Sequence, residues 1–325
     1  MVVTIGCERE PKPEPEQWQA VATDLPGALL SVWGTSASDV WTVGADSRDG
    51  QGPTVLHLDG DAWERVSTAR SSGDLWWVFG FEDGPIYMGG DGGIILRYEG
   101  GTFTEMTTPG TNTVFGIWGA SPDDVWAVGG ASDATGGFAW RLSGDAWVEE
   151  PSVPADVPTQ AALWKIFGRS ASDAWIVGSN GVALHWNGSA LEPGDTGVGS
   201  SLFTVHEHDG VYAAVGGSAS GYIIENDGSG WANVTPDDPV PMGLSGVTLG
   251  PDGSGIAVGL VGGIYVRDAS GWHIEDPDLP LRQNLHGSWI DDEGGLWAAG
   301  GDTFAPPLTD GLLLRRGIPI PTEGL

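Results

Sequence analysis

The stretch Leu30–Gly44, LSVWGTSASDVWTVG, returns as FGIWGASPDDVWAVG at Phe115–Gly129 and as WKIFGRSASDAWIVG at Trp164–Gly178. In each copy an apolar run closes on an aromatic residue and Gly, a small polar turn follows, and a second apolar run closes on Val-Gly. A unit repeated at a fixed period does not bury its apolar face alone, so the copies must stack on one another. Elsewhere the apolar residues alternate or come in short runs ended by Gly, the pattern of strands, and long helical periodicity is missing. The 54 Gly and 17 Trp suit that reading, with tight turns joining short strands and flat rings filling the space between sheets.

Each repeat divides into four strands, A to D. In the first, A is Leu29–Gly34, B is Val40–Gly44, C is Thr54–Asp59 and D is Ala62–Thr68. Further repeats open at Leu75, Val114, Leu163, Leu202, Leu244 and Leu285, a spacing of about 39–49 residues that matches propeller repeats. The last repeat has no strand D, but Glu16–Thr23, EQWQAVAT, copies the strand-D pattern of DAWERVST with Trp18 in the place of Trp63. An N-terminal strand that completes the last sheet closes the ring and removes an exposed edge. The sequence therefore predicts an all-β fold, a seven-bladed β-propeller of four-stranded antiparallel blades over residues 16–317. Residues 1–15 are a Pro/Glu-rich tether and 318–325 a C-terminal tail.

Aligned repeats give columns. Trp63, Phe103, Trp147, Trp231, Trp272 and Trp18 share one strand-D position, and Trp41, Trp126, Trp175 and Trp297 share one in strand B; such large apolar groups are expected in the core. Near the start of strand A stands a small column of Ser31, Gly116, Thr204, Gly246 and Gly287, broken by Trp77 and Lys165. Strand C carries a polar column of His57, Arg97, Arg141, His185, Glu225, Arg267 and Arg315, expected to stack on the tryptophans or pair with local acids. Asp39, Asp124 and Asp173 in the A–B turns are expected to bond nearby backbone N–H groups.

Thirteen Lys and Arg against 44 Asp and Glu give a formal charge of −31. That excludes a nucleic-acid binder, whose affinity rests on basic residues meeting phosphates, and adhesion to anionic membrane surfaces by charge. The single cysteine, Cys7, allows no intrachain disulfide and no cysteine-rich metal site. It follows VVTIG and precedes EREPKPEPEQ, an arrangement like the end of a bacterial lipoprotein signal, and Cys7 is the lipidation candidate. Only six residues precede it, fewer than the roughly 7–15 of an apolar signal core, so a start upstream of Met1 is expected. The expected location is the bacterial cell envelope or the exterior, as an outer-membrane lipoprotein, and the expected state is a monomer.

Long B–C and D–A loops emerge on one face, because strands alternate in direction, and variable loops on a rigid scaffold are where binding sits. Candidate binding residues on that face and at the pore mouth are Lys165, His286, Asp237, Asp238 and Asp302. Acid-rich loops such as Asp237-Asp238 offer oxygens of the kind Ca²⁺ takes, without regular ligand spacing, so no cofactor is expected. His206 and His208 face the same way but lack the further ligands of a zinc site. The first reading is a non-catalytic module for a protein or polysaccharide ligand. The alternative is a carbohydrate-active enzyme, a glycoside hydrolase or lyase, with axial acids and His286.

The repeat spelled SVWGTSASDVWTVG and TVLHLDGDAWERVS resembles bacterial propeller repeats grouped with BNR/Asp-box and photosystem II assembly factor-like proteins, especially those of myxobacterial envelope proteins. The resemblance covers the chain after residue 15 and implies a seven-bladed propeller in an exported protein. LDGDAW and NDGSGW are degenerate forms of the Asp-box S-x-D-x-G-x-x-W. Sialidases with this repeat also place an arginine triad and a nucleophilic tyrosine around the axis, whereas the arginines here fall mainly in strand C.

Overall fold

A computed structural model describes residues 17–237 and 239–325, and within them 28 strands form seven four-stranded antiparallel sheets. Blade 1 runs Leu29–Ser36, Asp39–Asp46, Pro53–Asp59 and Ala62–Arg65, in that order from the axis outwards. Blades 2 to 6 repeat the order. In blade 4, where the sequence offers Ala190-Leu191 for strand D, the strand shortens to Leu191–Pro193. Blade 7 takes strands A to C from Asn284–Ile290, Leu296–Asp302 and Thr309–Arg316, and its strand D is Trp18–Leu25, with Trp18 opposite Arg316. The seven-bladed propeller and its closure by the N-terminal strand are thus present in full.

Contacts between blades explain the repeated aromatic-Gly step. The Trp33 ring of blade 1 lies against Gly80 of blade 2, where an added Cβ would sit 2.5 Å from it. Trp289 of blade 7 lies on Gly34 of blade 1 in the same way, at 2.8 Å, and Trp118 of blade 3 on Gly168 of blade 4, at 2.5 Å. Each ring occupies the volume that a side chain on the next blade would fill, so adjacent innermost strands approach as closely as backbone allows.

Further out, the strand-C column stacks on the strand-B tryptophans. His57 lies 3.9 Å from Trp41, ring to ring, and its Nε2 is 2.7 Å from Asp39. Arg141 covers Trp126 and bonds Asp124, His185 stacks on Trp175 and bonds Asp173, and Arg315 covers Trp297 and bonds Asp291. The turn acids Asp39, Asp124 and Asp173 therefore serve the strand-C side chains, not the backbone N–H groups expected for them. The difference has a simple cause: an imidazole or guanidinium held flat on an indole presents its outer nitrogen to the turn, where a carboxylate pairs with it. In blade 7 both Arg315 and Asp291 are wholly buried, and Asp291 also accepts from Trp297 Nε1 at 2.9 Å. Removing one partner of such a pair costs about 3–5 kcal/mol.

The C-terminal residues lie along the outer edge of blade 1. Trp63 donates its backbone N–H to Glu323 O at 2.9 Å and its indole N–H to Pro321 O at 3.1 Å, and Ile320 packs against the core between blades 7 and 1. Both ends of the described chain thus meet the same seam. Deleting residues 1–25 leaves strand C of blade 7 as an open edge and removes Trp18 and Val21 from the core. Thermal melts of the truncated chain are expected to lose the cooperative transition; a melt unchanged from the full chain would contradict the closure.

Candidate functional site

Every innermost strand carries a bulge-like register shift near its start, and those of blades 1, 3 and 4 carry a second near their end. The first shift, against strand B, falls between Leu29 and Ser31, Leu75 and Trp77, Val114 and Gly116, and Leu163 and Lys165. The slip recurs between Leu202 and Thr204, Leu244 and Gly246, and Leu285 and Gly287. The residues skipped are Leu30, Trp76, Phe115, Trp164, Phe203, Ser245 and His286. A bulged residue has no ladder partner and is re-aimed away from its sheet. Because strand A is innermost and begins beside the D–A loops, re-aiming carries these side chains to the mouth of the axial channel on the loop face.

Contacts between neighbouring blades trace the resulting collar. Ring centroids are 5.7 Å apart for His286 and Trp76, 5.4 Å for Trp76 and Phe115, 4.8 Å for Phe115 and Trp164, and 6.1 Å for Trp164 and Phe203. Trp76, Trp164, Phe203 and His286 are partly exposed, and Leu30 is buried against Trp76. Trp76 Nε1 donates to Asp91 Oδ1 at 2.9 Å, an oxygen that also accepts from Thr113. Asp74 follows on the rim; burial, then the charges of Asp91 and Asp46, raises its carboxyl above the usual range. The indole N–H of Trp164 is buried without any acceptor.

Lys165 is the residue next to Trp164, in the otherwise small column. Its side chain crosses from blade 4 to blade 2, with Nζ 4.5 Å from the centre of the Trp77 ring. The residue is 5% exposed, and no carboxylate or hydrogen-bond acceptor among the described residues meets its amine. Burial lowers its pKa from 10.5 to about 7. The chain has two lysines, Lys12 and Lys165, and Lys12 lies outside the described residues.

His286 donates from Nδ1 to Leu30 O at 2.7 Å, which leaves Nε2 with a free lone pair. Burial, and then the nearby Lys165 charge, lowers its pKa to about 4, so the ring is neutral at pH 7.

The structure thus brings together Lys165 and His286 of the sequence candidates. Asp237 is exposed on a loop and Asp302 is exposed at the end of strand B of blade 7, and neither contacts Lys165 or His286. Asp238 and Cys7 lie outside the described residues. His206 is core: it packs 4.1 Å from Phe167 and accepts from Leu249 N. No group of three or more His, Cys, Asp or Glu among the described residues is placed to hold a metal ion. The residues that sequence reasoning did not single out are Trp76, Phe115, Trp164 and Phe203; their signal is the position directly ahead of the small column. A cleft of about 360 Å³ beside blade 3 is lined by Asn112, Phe138, Trp140 and Glu150. There Asn112 is bonded to Gly136 O and Glu150 to Ser152.

No protein-family model matches the chain, and no curated protein matches it in sequence. Solved structures match it over nearly its whole length. A streptogramin B lyase structure superposes with a TM-score of 0.70 at 16% identity, covering 92% of this chain and 97% of that one. YCF48 from Cyanidioschyzon merolae gives 0.68 at 14% identity, covering 92% and 98%. The extracellular domain of a putative hybrid two-component system from B. thetaiotaomicron gives 0.70 at 12% identity, covering 94% of this chain and 41% of that one. At these identities the likeness establishes the β-propeller fold.

The depressed Lys165 pKa has a consequence for stability. Folded, Lys165 holds its proton more weakly than it does unfolded, so between about pH 7 and pH 10.5 the unfolded chain binds more protons and stability rises with pH. Below pH 7 the penalty is complete. From pH 7 to pH 9 the gain is about 2 kcal/mol, at 1.36 kcal/mol per pH unit when the difference is one proton. Urea unfolding at the two pH values is expected to show this increment in the wild type and not in Lys165→Met. Equal increments in both would contradict the assignment.

Proposed function

We propose that this chain is an exported, non-catalytic binding module, lipid-anchored through Cys7, that engages a protein or glycan ligand with its B–C/D–A loop face around the axial mouth. The observation that carries this reading is the collar. Its four aromatic residues are brought to one place by the bulges of blades 2 to 5, and three of them are partly exposed where inter-blade packing would bury them. Rings presented on a rigid frame, beside an indole N–H without an acceptor, favour contact with a ligand at low ordering cost. Propellers of this shape include YCF48 solved with a D1 peptide, at 17% identity, and extracellular domains of two-component systems, which supports a peptide-type ligand and an exported setting.

The enzymatic alternative needs two carboxylates facing each other across the reacting bond. Asp91, which meets the collar at Trp76, is engaged by Trp76 and Thr113, and the groups nearer the axis are an amine and a neutral imidazole. That distribution supports binding over hydrolysis.

Screening the purified protein on glycan and peptide arrays tests the reading. Trp76→Ala and Phe203→Ala are expected to weaken the binding found by about tenfold or more, the scale of an aromatic hot spot. Ser172→Lys, in the exposed A–B turn of the opposite face, is expected to leave it unchanged. Loss of binding in Ser172→Lys alone, or turnover of a chromogenic glycoside by the wild type, would overturn the reading.

A further inference from the structure

We propose that the axial mouth is a receptor for a carboxylate carried on a compact apolar body, with the Lys165 ammonium as its counter-ion. The proposal rests on the loop-face reading above and names the chemistry recognised at its centre.

Among the described residues Lys165 stands apart from the other buried and half-buried cations, which have carboxylate partners. Arg65 pairs with Asp49, Arg70 with Glu105, Arg141 with Asp124, Arg169 with Asp173, Arg267 with Glu225 and Arg315 with Asp291. A chain with 44 acidic residues does not lack partners for one amine. Yet this amine, on a side chain more than nine-tenths buried, has only the face of Trp77. A cation removed from water without a counter-charge is expensive, and a carboxylate entering from the mouth removes that expense.

The neighbouring groups narrow the class. Trp164 is the collar residue of the same strand, and its ring meets Phe115 and Phe203 on either side. Partly exposed Trp76, Trp164 and Phe203 offer apolar walls. One ammonium balances one negative charge, and Asp46, Asp74 and Asp91 on the rim oppose a second, so a monoanion is favoured over a phosphate dianion. His286, from strand A of blade 7, is the titratable side chain whose proton affinity responds to Lys165. It is neutral, and its Nε2 accepts a hydrogen bond from a ligand that carries a donor.

Because the chain has two lysines, ¹³C labelling at lysine Cε gives two signals, assigned with Lys12→Arg in the otherwise intact protein. The probes are phenylacetate and its uncharged match, phenylacetamide. Saturating phenylacetate is expected to raise the titration midpoint of the Lys165 signal by about one pH unit or more, because a nearby anion favours the charged amine. Phenylacetamide is expected to leave it in place. Lys165→Met, which keeps an apolar side chain of similar length and loses the amine, is expected to weaken phenylacetate about tenfold or more and to leave phenylacetamide unchanged. No displacement of the Lys165 midpoint by phenylacetate, or equal displacement by both probes, would overturn the proposal. Array binding that depends on Trp76 and Phe203 would still stand in that case, so failure here and failure of the loop-face reading are told apart.

Discussion

At the seams of blades 7 and 1, 1 and 2, 2 and 3, and 3 and 4, an aromatic ring of one blade lies on bare backbone of the next, and the packing of the innermost strands there depends on that contact. Trp33 on Gly80, Trp118 on Gly168 and Trp289 on Gly34 set how near two innermost strands can come. The last of these joins blade 7 to blade 1, so the spacing used between sequential blades also serves at the closing seam. A side chain on any of these glycines would push the strands apart, and a ring that must close has no free end to absorb the displacement.

Two kinds of aromatic residue follow from this frame. Those of strands B and D are flattened between sheets and capped by strand-C cations, whose charge is met by a carboxylate, as in the Trp297, Arg315 and Asp291 set. Those of the bulges leave the sheets altogether. The first kind supplies cohesion, since each buries on the order of 150–250 Å². The second is spared from cohesion and stands at the channel mouth with Lys165 and His286.

The propeller was legible in the sequence because its period is written in residues that the packing requires: the aromatic-Gly step, the strand-B tryptophans, and Trp18 copying Trp63 ahead of the first full repeat. Strand C was legible for the same reason. The role of Asp39, Asp124 and Asp173 was not, because spacing along a turn does not reveal a partner two strands away. The collar was hidden by its own geometry. Strict alternation gives Trp76, Phe115 and Trp164 to one face of a sheet, and only the bulge, which leaves no mark in composition, turns them to the axis. Lys165 and His286 stood out as odd members of their columns, but the reach of Lys165 past Gly116 of blade 3 to Trp77 of blade 2 depends on how three consecutive blades stack.

The bulges also separate what this molecule must keep from what it is free to change. A residue outside the hydrogen-bond ladder can be exchanged without altering the register of its strand, and one pointing into the channel takes no part in the ring-on-glycine contacts. The seven positions already hold Leu, Trp, Phe, Trp, Phe, Ser and His, and all seven bulges keep the same form. With the buried Leu30 and Phe115 set aside, five of the seven positions are partly exposed. New specificity can be introduced there one residue at a time while the scaffold keeps its fold.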